Sequence, residues 1–442
     1  MQRRHFLIAS SSATLLAACG GSDDNDAPRN RFSQLNLVAS DADTATFAPV
    51  LANAERDAEC INAWGVAIRP AGAGGHFWVT AGGYSFEFVG DVTASSDTSL
   101  KTLFQDALTL VRIPGAGVPE GETDVTNPDK FVGFGTGVVF NGAELTSDKF
   151  VVRNQRVTVD GAEQVLEGSA RFIFVTDSGV VSGWTERNAV SDTVVRRNGP
   201  AVEVINGSAE GHAYFGVAIK PGTWDRLWIA DFGAAPQLRA FDAQWQPVAL
   251  GSAFANPFLE AGRTAPVPGD YVPFNVQVLD VAGTPRVFIA YAKTQPDPED
   301  ATKFFAAEED AIAAADETLQ PDRGHVAMFD LDGNLVRAFN DDKRLNAPWG
   351  LAVAPATGFG PFSGALLVGN FGGKGRIAAF DIERNVFLGF MASDDGAEVA
   401  IEGLWGLQFG NGASLGDSNA LYFAAGPGDE TQGLFGALRY QS

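Results

Sequence analysis

The chain has 442 residues, 45% of them hydrophobic and 19% charged, which is long and apolar enough to bury a large core. Acidic residues outnumber basic ones 54 to 31, a formal charge of −23. That balance excludes a protein that tracks nucleic-acid phosphates and disfavours anionic lipid surfaces, since both need clustered Lys and Arg.

The N-terminus reads as an address. Arg3-Arg4-His5-Phe6-Leu7 is a twin-arginine motif, and the apolar run after it is too short to span a bilayer. Leu16-Ala17-Ala18-Cys19 then resembles the lipobox of bacterial lipoproteins. The expectation is a signal peptide over 1–18, a lipid on Cys19, and a flexible polar tether over 19–30. Gly20 is not a retention signal of the Asp type, which points to the outer membrane of the cell envelope. The mature chain would carry 29 basic against 54 acidic groups, so it would be held by its lipid alone. With Cys19 lipidated only Cys60 remains, no intramolecular disulfide can form, and Cys60 is expected to be a small buried hydrophobe.

From Arg31, RFSQLNLVAS alternates apolar and polar positions and reads as one isolated strand. A repeat follows. NAWGVAIRP (from Asn62), GTGVVFNG (Gly135), AYFGVAIKPG (Ala213), VPFNVQVLD (Val272), NAPWGLAVAP (Asn346) and GLWGLQFGNG (Gly403) share one register at Trp64, Thr136, Phe215, Phe274, Trp349 and Trp405. After each come short alternating strands separated by Gly, Pro and Asp turns, as in DRLWIADFG, QLRAFDAQW and QPVALGS. This predicts an all-β chain: a six-bladed β-propeller of four-stranded antiparallel blades over 31–442. The last unit supplies three strands, so the orphan strand near 32–38 is expected to complete it and close the ring. The 79-residue interval between Thr136 and Phe215 leaves room for a seventh unit. ATKFFAAEEDAIAAADETL, residues 301–319, predicts a surface helix inserted in blade 4, either a solvated acidic insertion or a lid.

NAWGVAI, RFIFVTDSGVVSGW, APWGLAVAP, LLVGNFG and GLWGLQFGNG resemble an uncharacterised family of secreted bacterial six-bladed propellers. More remotely, LLVGNFG with GRIAAFD resembles NHL repeats and gluconolactonase-type propellers. The first resemblance implies the fold and no activity.

In a propeller the loops leading into the innermost strands gather at one mouth of the central channel. The ligand-site candidates are therefore Glu59, Asn62, His212, Asp270, Tyr271, Asn346 and Glu402. The remote resemblance to the gluconolactonase type implies a divalent cation there, with Glu59, Asp270, Asn346 and Glu402 as Ca2+ ligands and a lactone or ester as substrate. The same residues also suit strand capping and turns. His76, His212 and His325 lack paired metal spacing, no Ser sits in a G-x-S-x-G elbow, GNFGGKG lacks the phosphate-loop pattern, and DLDGN reads as a tight turn. Trp64, Trp349 and Trp405 are expected to wedge between neighbouring blades. The functional expectation is a monomeric, envelope-anchored module that binds a small molecule or envelope protein, with a Ca2+-dependent hydrolase as the alternative.

Overall fold

The computed structural model describes residues 28–40, 59–305 and 320–442. Arg3, Arg4 and Cys19 lie outside them. Six four-stranded antiparallel sheets stand around one axis. Their innermost strands are Ala63–Ala67, Gly135–Phe140, Tyr214–Ile219, Tyr271–Val281, Pro348–Val353 and Leu404–Phe409, the six repeat starts in order. The 79-residue interval holds no seventh blade. Its surplus forms two hairpins attached to blade 2, Val151–Val159 with Ala162–Ser169 and Arg187–Asn188 with Thr193–Val194.

Blade 6 is closed by both chain ends. Phe32–Ala39 pairs antiparallel with Leu434–Tyr440, from Phe32 opposite Tyr440 to Ala39 opposite Leu434. Phe32 is fully buried, 4.8 Å from the Phe359 ring of blade 5, so the first strand also clamps the neighbouring blade. Among the described residues, helix is confined to four three-residue 3-10 turns. Where a helix was expected from 301, Ala301–Lys303 form a turn, and Phe304–Phe305 pair with Gln295–Pro296. The reason is local: Asp297 Oδ1 accepts from the Glu299 and Asp300 N–H groups, and Asp300 Oδ1 accepts from Thr302 N–H, so these side chains satisfy the backbone in a turn. The rest of the expected helix, 306–319, lies outside the described residues.

The physical reason for the aromatic-Gly repeat is visible at the axis. At the register residue each innermost strand slips its pairing by a bulge. The aromatic rings meet on the axis rather than lying between blades: Trp64 stacks on Trp405 at 3.7 Å, and Trp405 on Phe371 at 3.8 Å, with Phe215, Phe274 and Trp349 packed around them. The following Gly then lets the next blade approach. A Cβ on Gly65 would stand 2.6 Å from the Thr136 carbonyl oxygen, on Gly350 2.3 Å from that of Trp405, and on Gly406 2.5 Å from that of Trp64. Blade 4 has Asn275 in place of Gly, and its Nδ2 donates to the Trp349 carbonyl at 2.7 Å, filling the same gap with a hydrogen bond.

Between blades 1 and 2 a charged knot is buried. Glu186, 2% exposed, accepts both Arg69 terminal nitrogens (3.0 and 2.7 Å), Arg196 Nε (2.8 Å) and Arg171 Nε (3.3 Å). Burial pushes its carboxyl up, but the Arg69 hydrogen bonds and the Arg69 and Arg196 charges outweigh that and leave it at about 2.

Candidate functional site

The aromatic rings fill the mouth where the leading loops gather. Trp64, Phe215, Phe274, Trp349 and Trp405 are all at most 7% exposed, and Phe304 packs on them from outside. At the opposite end the channel opens as a cavity of about 230 Å3 lined by apolar residues of the innermost strands, Val66, Val138, Val217 and Leu279 among them, with Gln277 and Gln408.

The seven residues expected at the mouth lie at the start of the innermost strands of five blades or in the segments leading into them. Glu59 sits half-buried in a turn whose carbonyl accepts from Ile61 N–H. Asn62 is buried between Trp405 Nε1, which donates to its Oδ1, and Glu430 Oε1, which accepts from its Nδ2. Asp270 is held by both terminal nitrogens of Arg263 (2.6 and 2.8 Å) and by Val267 N–H, and Tyr271 donates to Asp322. Asn346 N–H donates to Asn370 Oδ1, and the exposed Glu402 accepts from Gly428 N–H. Among the described residues no three His, Cys, Asp or Glu side chains are grouped as a metal site requires. Of the proposed calcium ligands, the Asp270 and Glu402 side chains are engaged in their own turns.

His212 is the exception. It lines a cleft of about 640 Å3 between blades 2 and 3, whose other walls include Tyr214, Arg239, Glu210, Gln237 and Trp245. Behind it lies Asp231, fully buried at the end of the second strand of blade 3, Arg226–Asp231. Asp231 Oδ1 accepts from Ala213 N–H (3.0 Å) and Gly233 N–H (2.9 Å), and Oδ2 accepts from Arg239 Nε at 2.6 Å. His212 Nδ1 is 3.0 Å from the same Oδ2, out of line for a hydrogen bond. One carboxylate therefore meets both the Arg239 guanidinium and the His212 ring. Tyr214 lies under His212 with ring centroids 5.7 Å apart. Burial first, and the Asp231 charge second, push its hydroxyl up to about 12, so it is a proton donor at neutral pH.

Sequence reading found His212 by its place in the repeat and missed Asp231, Arg239 and Tyr214. A signal was present. Asp231 in LWIADFG matches Asn370 in LLVGNFG, and His212 in HAYFG matches Asn346 in NAPWG. In blade 5 the neutral pair suffices: Asn370 Oδ1 accepts from Asn346 N–H at 2.7 Å. The two other described histidines also meet an Asp, His76 with Asp106 at 2.8 Å and His325 with Asp341 at 2.6 Å. His76 is buried, and the His325 ring, 19% exposed, packs against Phe258 at 4.4 Å and Tyr271 at 4.2 Å.

No family model matches the chain. It is 27% identical over 389 residues to an uncharacterized protein of Acanthamoeba polyphaga mimivirus, covering 87% of this chain and 76% of that one. A second uncharacterized protein of the same virus is 31% identical over 232 residues, and the chain spans about half its length, 52%. These relatives are viral and do not support the secreted bacterial family that the resemblance implied. Solved structures similar in fold include the Dos1 propeller (TM-score 0.38, 10% identity, 89% of this chain and 69% of that one) and a luciferin-regenerating enzyme (TM-score 0.41, 10% identity, 86% and 93%). A third is the Neurospora crassa Pan2 WD40 domain (TM-score 0.36, 10% identity, 93% and 97%).

Proposed function

We propose that the protein is a ligand-binding propeller whose site is the cleft between blades 2 and 3, and that its ligand is a hydroxylated small molecule of sugar or sugar-acid size. The observation that carries this is the buried Asp231 holding His212 and Arg239 at the wall of a ligand-sized cleft. His212, Arg239, Glu210 and Gln237 present planar polar groups that donate or accept in fixed directions, and Tyr214 and Trp245 add ring surface, which suits a molecule carrying many hydroxyls. The twin-arginine motif and Cys19 support a chain exported folded and held at the envelope by lipid. Calorimetric titration of the chain with a panel of monosaccharides and sugar acids tests the cleft. Arg239→Gln should weaken a positive binder by about tenfold or more, since a hydrogen bond to a charged group contributes about 1.5–3 kcal/mol. Unchanged affinity in that variant would move the site elsewhere.

A further inference from the structure

The aromatic rings close the axial channel at the mouth, so what remains is a blind hole of about 230 Å3 entered from the opposite face. None of the residues lining it is ionisable, in a chain whose formal charge is −23. Its side-chain walls include Val66, Val138, Val217 and Ile219, with one glutamine from blade 4 and one from blade 6. Each innermost strand is also the terminal strand of its sheet, so its free backbone edge adds polar groups to the wall. The two glutamines are pinned in opposite senses. Gln277 Oε1 accepts from Leu351 N–H of blade 5 at 3.0 Å, a group that can only donate, so the amide cannot turn over and Nε2 is the end left for the hole. Gln408 Nε2 donates to the Phe409 carbonyl oxygen at 3.0 Å, which can only accept, so Oε1 is the end left. Among the described residues these two ends meet no other polar group, and neither is sealed from solvent.

We propose that the open end of the axial channel is a second binding site, for an uncharged single-ring organic molecule whose polar substituents are met by Gln277 Nε2 and Gln408 Oε1. The site goes beyond the cleft between blades 2 and 3 and shares no lining residue with it. Three observations select this guest. A charged molecule would leave water for walls that hold no counter-charge, whereas an uncharged one gives up far less hydration. A plain hydrocarbon chain would fill the space and leave a fixed donor and a fixed acceptor unmet, each at the cost of a desolvated polar group. The size follows from the volume: an apolar cavity of about 150 Å3 holds one benzene molecule, so this hole takes one ring with substituents of a few atoms. The ring lies against the valine walls, and the two amides, held by backbone groups of blades 5 and 6, need no rearrangement to receive its polar ends.

The test is calorimetric titration of the full chain at pH 7 with p-hydroxybenzamide, with p-hydroxybenzoate as the charged probe of the same shape and toluene as the apolar one. The expected result is binding of p-hydroxybenzamide, with p-hydroxybenzoate weaker by about tenfold or more. Gln408→Leu should weaken p-hydroxybenzamide about fivefold, the scale of one neutral hydrogen bond, and leave toluene unchanged. Gln277→Glu keeps the acceptor that Leu351 N–H uses, turns the free donor into an acceptor, and should weaken p-hydroxybenzamide about tenfold or more. Thermal unfolding checks that each variant is folded, and the two read the site independently. Arg239→Gln, in the cleft, should leave all three affinities unchanged, so failure here and failure of the cleft are told apart. No binding of p-hydroxybenzamide by the wild type, equal affinity for the benzamide and the benzoate, or unchanged affinity in both glutamine variants would overturn the proposal.

Discussion

The Glu186 knot gives the sharpest stability test, because its carboxyl drops from an ordinary 4.5 to about 2 and is almost fully buried. An acid depressed in the folded state contributes stability that is complete above its unfolded value and is lost as pH falls through the folded one, so the window runs from pH 4.5 down to 2. A shift of that size corresponds to about 3 kcal/mol in all, of which about 2 kcal/mol is gone by pH 3. Glu186→Gln removes the titrating group and leaves Arg69, itself 3% exposed, facing a neutral partner, at a cost of about 3–5 kcal/mol at pH 7. Urea unfolding of wild type and variant at pH 7, 5 and 3 measures both numbers. The stability gap between them should shrink by about 2 kcal/mol between pH 7 and pH 3. All other carboxylates titrate in both proteins and cancel in the difference. A gap that stays constant with pH would refute the account, since Glu186 would then have the same proton affinity folded and unfolded.

The remaining predictions concern the ring, one buried acid and the anchor. Deleting 31–39 removes the strand that brings Phe32, Leu37 and Val38 into the core; at about 1.5–3 kcal/mol for each large apolar side chain, the loss is comparable to the whole stability of a typical domain, and aggregation by light scattering should follow. Gly350→Ala places a Cβ 2.3 Å from the Trp405 carbonyl oxygen and should cost about 1–3 kcal/mol or more by thermal unfolding; an unchanged melting temperature would contradict the close approach of blades 5 and 6. Glu87 is fully buried and burial raises its carboxyl well above the ordinary value, so its ionisation opposes folding once pH passes the unfolded value; Glu87→Gln should therefore raise stability at pH 7 and leave it unchanged at pH 3. Cys19→Ser should abolish incorporation of labelled fatty acid, and a wild-type chain that takes up none would remove the anchor.

Chain closure was legible because it is a matter of counting. A last unit with three strands and a lone strand before the first unit leave one arrangement that buries both edges, and Phe32–Ala39 against Leu434–Tyr440 is that arrangement. Over 301–305 a turn and a short strand stand where the helix was expected to begin, for a reason equally local, since Asp297 and Asp300 bind the backbone there.

The sequence by itself determined the strand order and six repeat starts, four of them an aromatic followed by Gly, because alternation and turn residues act over a few neighbours; the seventh unit it left open was closed by the six sheets. It did not determine where a ligand sits. Seven polar residues lay two to five positions before the register residues, and nothing local tells a capping Asn or turn Asp from a ligand-contacting side chain. What each residue meets was decided by the tertiary structure: the aromatic rings that fill the mouth come from five blades, and the contacts of Asp231 with His212 and Arg239 join a loop, a second strand and a third strand of blade 3. Contacts between residues 8 and 19 positions apart in separate segments depend on register and sheet packing together, which is why the cleft between blades 2 and 3 exists only in the folded ring.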